Sequence, residues 1–225
     1  MDNHWRGSNY GYEDNFLGGA RVMVLGEAHY SDDIPIGEPV PEGFTRNVIE
    51  WYLSGGFQER RRETFFNRVE RLLSRRLQRG LSSGERNDFW NSVIFYNYIP
   101  VIAAQKPNER PQDWMWEQDA PRAFRKVVKA TEAEIILVCG TTLWRKKVFD
   151  VAIPDAYHAA GRGFEAHEVN WSGTYGAVAA HIPHPSGSRG WSYDRSLPVR
   201  DFLFEELRRR RNIRNEPPIS LSITL

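Results

Sequence analysis

Four short apolar runs, three stopped by Gly26, Asn97 and Gly140 and the fourth by Pro183 ahead of His184, constrain this chain more than any other feature. They cover residues 20–25, 92–96, 135–139 and 177–182. Each is too short for a helix, and each is apolar on both faces rather than alternating. That is the pattern of a strand buried on two sides. Stretches of helical periodicity lie between and after them, at 44–53, 57–79, 121–130 and 201–211. Strands alternating with helices predict an α/β fold with three α/β/α layers around a central, mostly parallel four-stranded sheet. In such sheets ligands sit beyond the carboxyl ends of the strands. Notable polar residues gather there: Glu27, His29 and Tyr30 after the first run, Asn97 after the second, Thr141 and Thr142 after the third, His184 after the fourth.

The 225 residues fit a single domain over 1–225, and a 40% hydrophobic content with eight Trp and twelve Phe is enough for a large core. Residues 1–19 read as an irregular lead-in and 164–171 as a further strand. The helix at 57–79 places Phe65, Val69, Leu72, Leu73 and Leu77 on one face and arginines on the other. It is read as part of a helical, Arg-rich insertion over about 54–90. Net charge is only +1, but Arg60, Arg61, Arg62, Arg68, Arg71, Arg75, Arg76 and Arg79 form one basic stretch and Arg208 to Arg211 a second. Such patches suit a nucleic acid better than net charge suggests. Cys139 is the single cysteine, which excludes an intrachain disulfide and a cysteine-held metal or iron–sulfur site. The polar start and the lack of any apolar run of ~20 residues lead to the expectation of a soluble, cytoplasmic chain with no membrane partner.

The stretch from Ala180 to Gly190 sets one histidine, His184, between Pro183 and Pro185 and then opens into Ser186, Gly187, Ser188 and Arg189. Proline fixes φ, so the imidazole is carried on a stiffened backbone. A rigid imidazole beside a pliable Ser/Gly/Arg loop suits a nucleic-acid contact.

In order along the chain, residues 24–30 (VLGEAHY), 93–100 (VIFYNYIP), 136–140 (ILVCG) and 184–187 (HPSG) resemble the motifs of the uracil-DNA glycosylase superfamily. The resemblance spans roughly residues 20 to 190. It implies a monofunctional enzyme that flips a nucleotide out of DNA and hydrolyses its N-glycosidic bond without metal or cofactor. By position, Glu27 would orient the attacking water, His184 would support the departing base, and Asn97 would read the base's pairing edge. Tyr30 would face the pyrimidine 5-position, and Phe44 would stack on the base. His29 completes the expected base-binding set. Ser186, Gly187, Ser188 and Arg189, with Thr141 and Lys106, are the expected DNA contacts, and the chain is expected to act as a monomer.

The departures are specific. Ala28 stands where the commonest branch carries Asp, and Gly26-Glu27-Ala28 is similar to the iron–sulfur branch. So is the loop 106–111 (KPNERP), yet the four cluster cysteines of that branch are absent. No wedge leucine follows His-Pro-Ser. The base is therefore left between uracil and a modified cytosine, the latter in phage DNA with an antiviral role and a bacterial or phage setting. His184 is open between a neutral and a charged donor. Three other readings stand beside this one. One is zinc on His181 and His184 with His158 or His167; another is a Schiff-base lysine at Lys146 or Lys147. The third is a non-catalytic binder of single strands or nucleotides on the same fold.

Overall fold

The computed structural model describes residues 3–56, 60–106, 109–117, 119–146, 151–152, 165–170, 176–187 and 190–220, with backbone alone at 60–63 and 151–152. It is an α/β fold built on a mixed sheet. The strands are β1 (His4–Arg6), β2 (Val22–Gly26), β3 (His29–Tyr30), β4 (Val93–Asn97), β5 (Ile102–Ala104), β6 (Ile135–Cys139), β7 (Val151–Ala152), β8 (Ala166–Asn170) and β9 (Gly176–Ile182). The helices are α1 (Phe44–Leu53), α2 (Arg60–Ser74), α3 (Ser83–Trp90), α4 (Trp114–Glu117), α5 (Ala120–Thr131), α6 (Thr141–Arg145) and α7 (Tyr193–Ile213).

Among the described residues the main sheet has seven strands in the order β1-β4-β2-β6-β9-β8-β7. The expected four-stranded sheet is thus too small. The four apolar runs are its centre, with β2 parallel to β4 and β6, and β6 parallel to β9. Antiparallel strands extend both edges: β1 against β4, and β8 against β9 with β7 beyond it. These edge strands carry no continuous apolar run. The burial of β8 alternates irregularly, and β1 lies in the stretch read as an irregular lead-in. A separate parallel pair joins β3 to β5.

Side-chain alternation sends the strands' apolar residues to two faces. Val22, Val24, Phe95, Leu137 and Ile182 pack with α1, α2, α3 and α7. Met23, Leu25, Ile94, Ile136 and Val138 pack with α4, α5 and α6. Burying a Val, Leu, Ile or Phe contributes roughly 1.5–3 kcal/mol, so two such layers hold the sheet rigidly.

The Arg-rich segment is a wall of this core rather than an appendage. Phe65, Phe66, Val69, Leu72 and Leu73 of α2 are all buried in it. The helix stops at Ser74, short of the expected residue 79, because Arg75 turns into the left-handed region at φ 62°. Ser82 then starts α3 with a reciprocal cap: its hydroxyl accepts from the Glu85 N–H and Glu85 accepts from the Ser82 N–H. The expected closing helix begins earlier, at Tyr193, where the Ser192 hydroxyl accepts from the Arg195 N–H and Pro198 is accommodated inside the helix. Its arginines are largely paired within the protein. Arg211 and Arg214 reach the buried Glu134, and Arg209 and Arg210 reach the buried Glu206. Arg76 and Arg79 pair with Glu85, and Arg75 with Asp201.

Candidate active site

Three strand ends bring the candidate residues together. Gly26 at the end of β2 is in register with Asn97 at the end of β4. The two chains stay joined beyond the sheet, with the Tyr98 N–H donating to the Gly26 carbonyl at 2.9 Å and the Ile99 N–H to the Glu27 carbonyl at 3.1 Å. The Asn97 amide lies over Gly26, where an added Cβ would fall 2.1 Å from its Oδ1. Only glycine at 26 leaves room for that amide over the end of β2.

Gly140 ends β6 at φ 143°. A Cβ there would sit 3.5 Å from His184 Cδ2 and 4.0 Å from Glu27 Oε2. The imidazole and the carboxylate therefore both flank Gly140, and it is the backbone angle there rather than the space that calls for glycine. His184 comes from the turn after β9, and its Gly140 neighbour is tied to that strand by an N–H donating to the Ile182 carbonyl at 3.0 Å.

The contacts of His184 assign its tautomer. Its Nδ1 receives the Ser186 backbone N–H at 3.3 Å and lies 2.9 Å from the Ser186 hydroxyl. A backbone N–H only donates, so Nδ1 is the acceptor and Nε2 carries the proton. Burial, with a smaller contribution from the Arg110 cation, lowers the imidazole pKa to about 4. At neutral pH the ring is an uncharged donor through Nε2. It packs on Phe65 of α2, with ring centroids 5.6 Å apart.

Glu27 is 6% exposed. Burial raises its carboxyl pKa, and Arg110 opposes that rise. The Arg110 Nη1 is 3.8 Å from Glu27 Oε1, while the arginine side chain itself is 76% exposed. Burial and the Glu27 charge push the Tyr30 phenol up to about 12, so it stays protonated beside the carboxylate.

The remaining expected residues divide. His29 is turned into the core: its Nε2 lies 2.8 Å from the Thr45 hydroxyl, its Nδ1 3.3 Å from the Ile99 carbonyl, and Phe44 packs edge-on at 5.6 Å. Those partners occupy both ring nitrogens, so His29 and Phe44 support α1 and the β3 turn. A cavity of about 70 Å³ lies next to them, bordered by Asn3, His29, Tyr96, Asn97 and Lys126. Ser186 holds His184, and the Gly187 N–H donates to the His184 carbonyl at 2.9 Å, so both shape the loop from within. Thr141 begins α6 beside Gly140. Lys106 is exposed, on a loop that Glu109 closes by accepting from the Gln105 and Lys106 N–H groups. Ser188 and Arg189 lie outside the described residues, as do Lys147 and His158.

Arg68, Phe65, Gly140 and Arg110 were not singled out as site residues from sequence. Arg68 donates to the Pro185 carbonyl at 2.5 Å and to the Gly187 carbonyl at 2.9 Å, and its guanidinium covers Trp191 at 5.5 Å. One arginine of α2 thus clamps the His184 turn from a position 117 residues earlier. Charge-assisted bonds of this kind contribute about 1.5–3 kcal/mol each. Arg68→Ala is expected to speed amide exchange at Gly187 and to move the His184 pKa upward toward its ordinary value of 6.5 as water reaches the ring. Exchange and histidine NMR titration check this; an unchanged Gly187 amide would show that the turn holds itself.

Among the described residues the rival sites do not assemble. His181 is stacked on Trp144 at 4.9 Å, with His167 edge-on to the same indole. Among the described residues no group of three or more His, Cys, Asp or Glu side chains is placed to hold a metal. Lys146 is ion-paired to Asp113 at 2.7 Å and lies over Trp116. Among the described residues no helix is long and apolar enough to cross a membrane. Compared with known protein families and with curated proteins, the chain matches none.

Proposed function

We propose that the protein is a monofunctional DNA glycosylase of the uracil-DNA glycosylase type, acting on a flipped pyrimidine. One observation supports this most: a neutral imidazole and a buried carboxylate both flank Gly140, and Asn97 ends the strand paired in register with the one that leads into Glu27. The parallel order β4-β2-β6-β9, with the site at the strands' carboxyl ends, is consistent with that fold type.

The reaction breaks the bond between the sugar C1′ and the base nitrogen. The electron pair leaves with the base and charge grows on its carbonyl oxygen. The Nε2–H of His184 supplies a preorganised donor for that charge, and it needs no added proton to do so. The Glu27 carboxylate faces the positive charge that grows on the sugar and accepts a proton from water as oxygen joins C1′. The proton ends on the released base, and the sugar becomes an abasic site. Asn97 offers one donor and one acceptor to the pairing edge, which suits uracil or a modified cytosine. The Tyr30 ring beside Glu27 disfavours bulky 5-substituents and tilts the choice toward uracil. Excision of a modified cytosine from phage DNA would place the enzyme in antiviral defence.

The test is incubation with oligonucleotides carrying uracil, with modified phage DNA, and with unmodified controls, followed by alkali. Alkali-labile sites at the altered base support the proposal. Tight DNA retention without any such site would overturn it in favour of a non-catalytic binder.

A further inference from the structure

Arg110 is placed oddly for a structural ion pair. Its side chain is 76% exposed, yet its guanidinium points at a carboxylate that is only 6% exposed. At 3.8 Å the pair is loose. A long contact from an exposed, hydrated guanidinium is weak, so this arginine can exchange its partner. The residue sits on the loop after β5, at the mouth of the site. The charged or titratable groups that face Glu27 there are Arg110 from this loop, Tyr30 from β3 and His184 from the turn after β9. Tyr30 and His184 are uncharged at neutral pH, so among the described residues Arg110 is the cation at this mouth.

We propose that Arg110 is a displaceable counter-ion: in the empty site it neutralises Glu27, and on binding it leaves the carboxylate for a backbone phosphate of the bound strand. A phosphodiester is accessible to an exposed guanidinium and accepts two parallel hydrogen bonds from it. The exchange ties two events together. The strand gains a phosphate contact, and the Glu27 carboxylate becomes more basic only once that strand is in place. Arg110 is thus a phosphate-binding residue that positions the charge of Glu27. This inference extends the glycosylase reading by naming what docks at the mouth.

The probe is a single-stranded oligonucleotide with one tetrahydrofuran abasic site, which binds without reacting. Arg110→Ala is expected to weaken it about tenfold at low salt and to reduce the slope of log affinity against log salt by about 0.7, the share of one phosphate contact on a single strand. Arg110→Lys should restore most of that slope. NMR titration of the Glu27 carboxyl gives the second readout. In the wild type the probe should move it upward, and in Arg110→Ala by clearly less, because the counter-ion is already gone. An unchanged salt slope, an equal upward move in both proteins, or no binding by the wild type would each overturn the inference. Excision is not measured, so a failure to release any base would count against the glycosylase reading alone.

Discussion

His184→Ala is expected to lower kcat for base release by about 10²–10³-fold, the cost of removing one preorganised donor to a developing oxyanion. The alkali assay on the preferred oligonucleotide reads this directly. The substitution should leave the fold in place. The ring is only partly enclosed and packs chiefly on Phe65, so a loss of roughly 1 kcal/mol, or about 2–4 °C in Tm, is the expected scale for a chain of this length. The pH dependence of stability reports the burial of this ring. The folded-state pKa of about 4 lies below the ordinary 6.5. The unfolded chain therefore binds a proton that the native ring refuses, and stability falls as pH drops through the window from 6.5 to 4. For one such histidine the slope is about 1.4 kcal/mol per pH unit. His29, lowered to about 4 by burial, adds a similar slope of its own. The wild type should show both slopes and His184→Ala one fewer. Undiminished base release by this variant would remove His184 from the chemistry.

Glu27→Gln should separate activity from stability. Excision is expected to fall about 10²–10⁴-fold, the usual contribution of a positioned base. Stability at neutral pH should rise. Burial raises the folded-state carboxyl pKa above its ordinary 4.5, so the protonated form favours the fold and ionisation at higher pH disfavours it. That stability is fully present below pH 4.5 and is lost as pH rises through the folded pKa. A glutamine carries no charge to desolvate, so the Tm advantage of the variant should be largest near neutral pH and vanish in acid. The same ionisation sets the acid limb of kcat/KM. His184 leaves no inflection near its ordinary pKa, because it is already neutral there. Thermal melts across pH give the stability arm. A variant that is less stable at pH 7 would mean that Arg110 outweighs burial at this carboxylate.

Much of the framework is readable locally. A run such as residues 135–139 is a buried strand wherever it pairs, because apolar content on both faces and strong strand propensity are properties of the segment itself. The strand β1 was not readable, since three residues with one exposed side gain their stability from the β4 edge. The Arg-rich helix illustrates the limit from the other direction. Its apolar stripe was visible in sequence, and its burial followed. The destination of Arg68 was not visible, because nothing near it in the chain specifies the Pro185 and Gly187 carbonyls. His29 looked like a site residue by position; packing turned it toward Thr45 and Ile99 instead.

By itself the chain determined four buried strands and the polar residues that end them, since both follow from short-range pattern. Only the tertiary structure decided that Nδ1 of His184 accepts from Ser186, that the ring and Glu27 both flank Gly140, and that Arg110 lies 3.8 Å from the carboxylate. Those properties depend on burial and on neighbours dozens of residues away, and desolvation and Coulomb terms act through space rather than along the sequence.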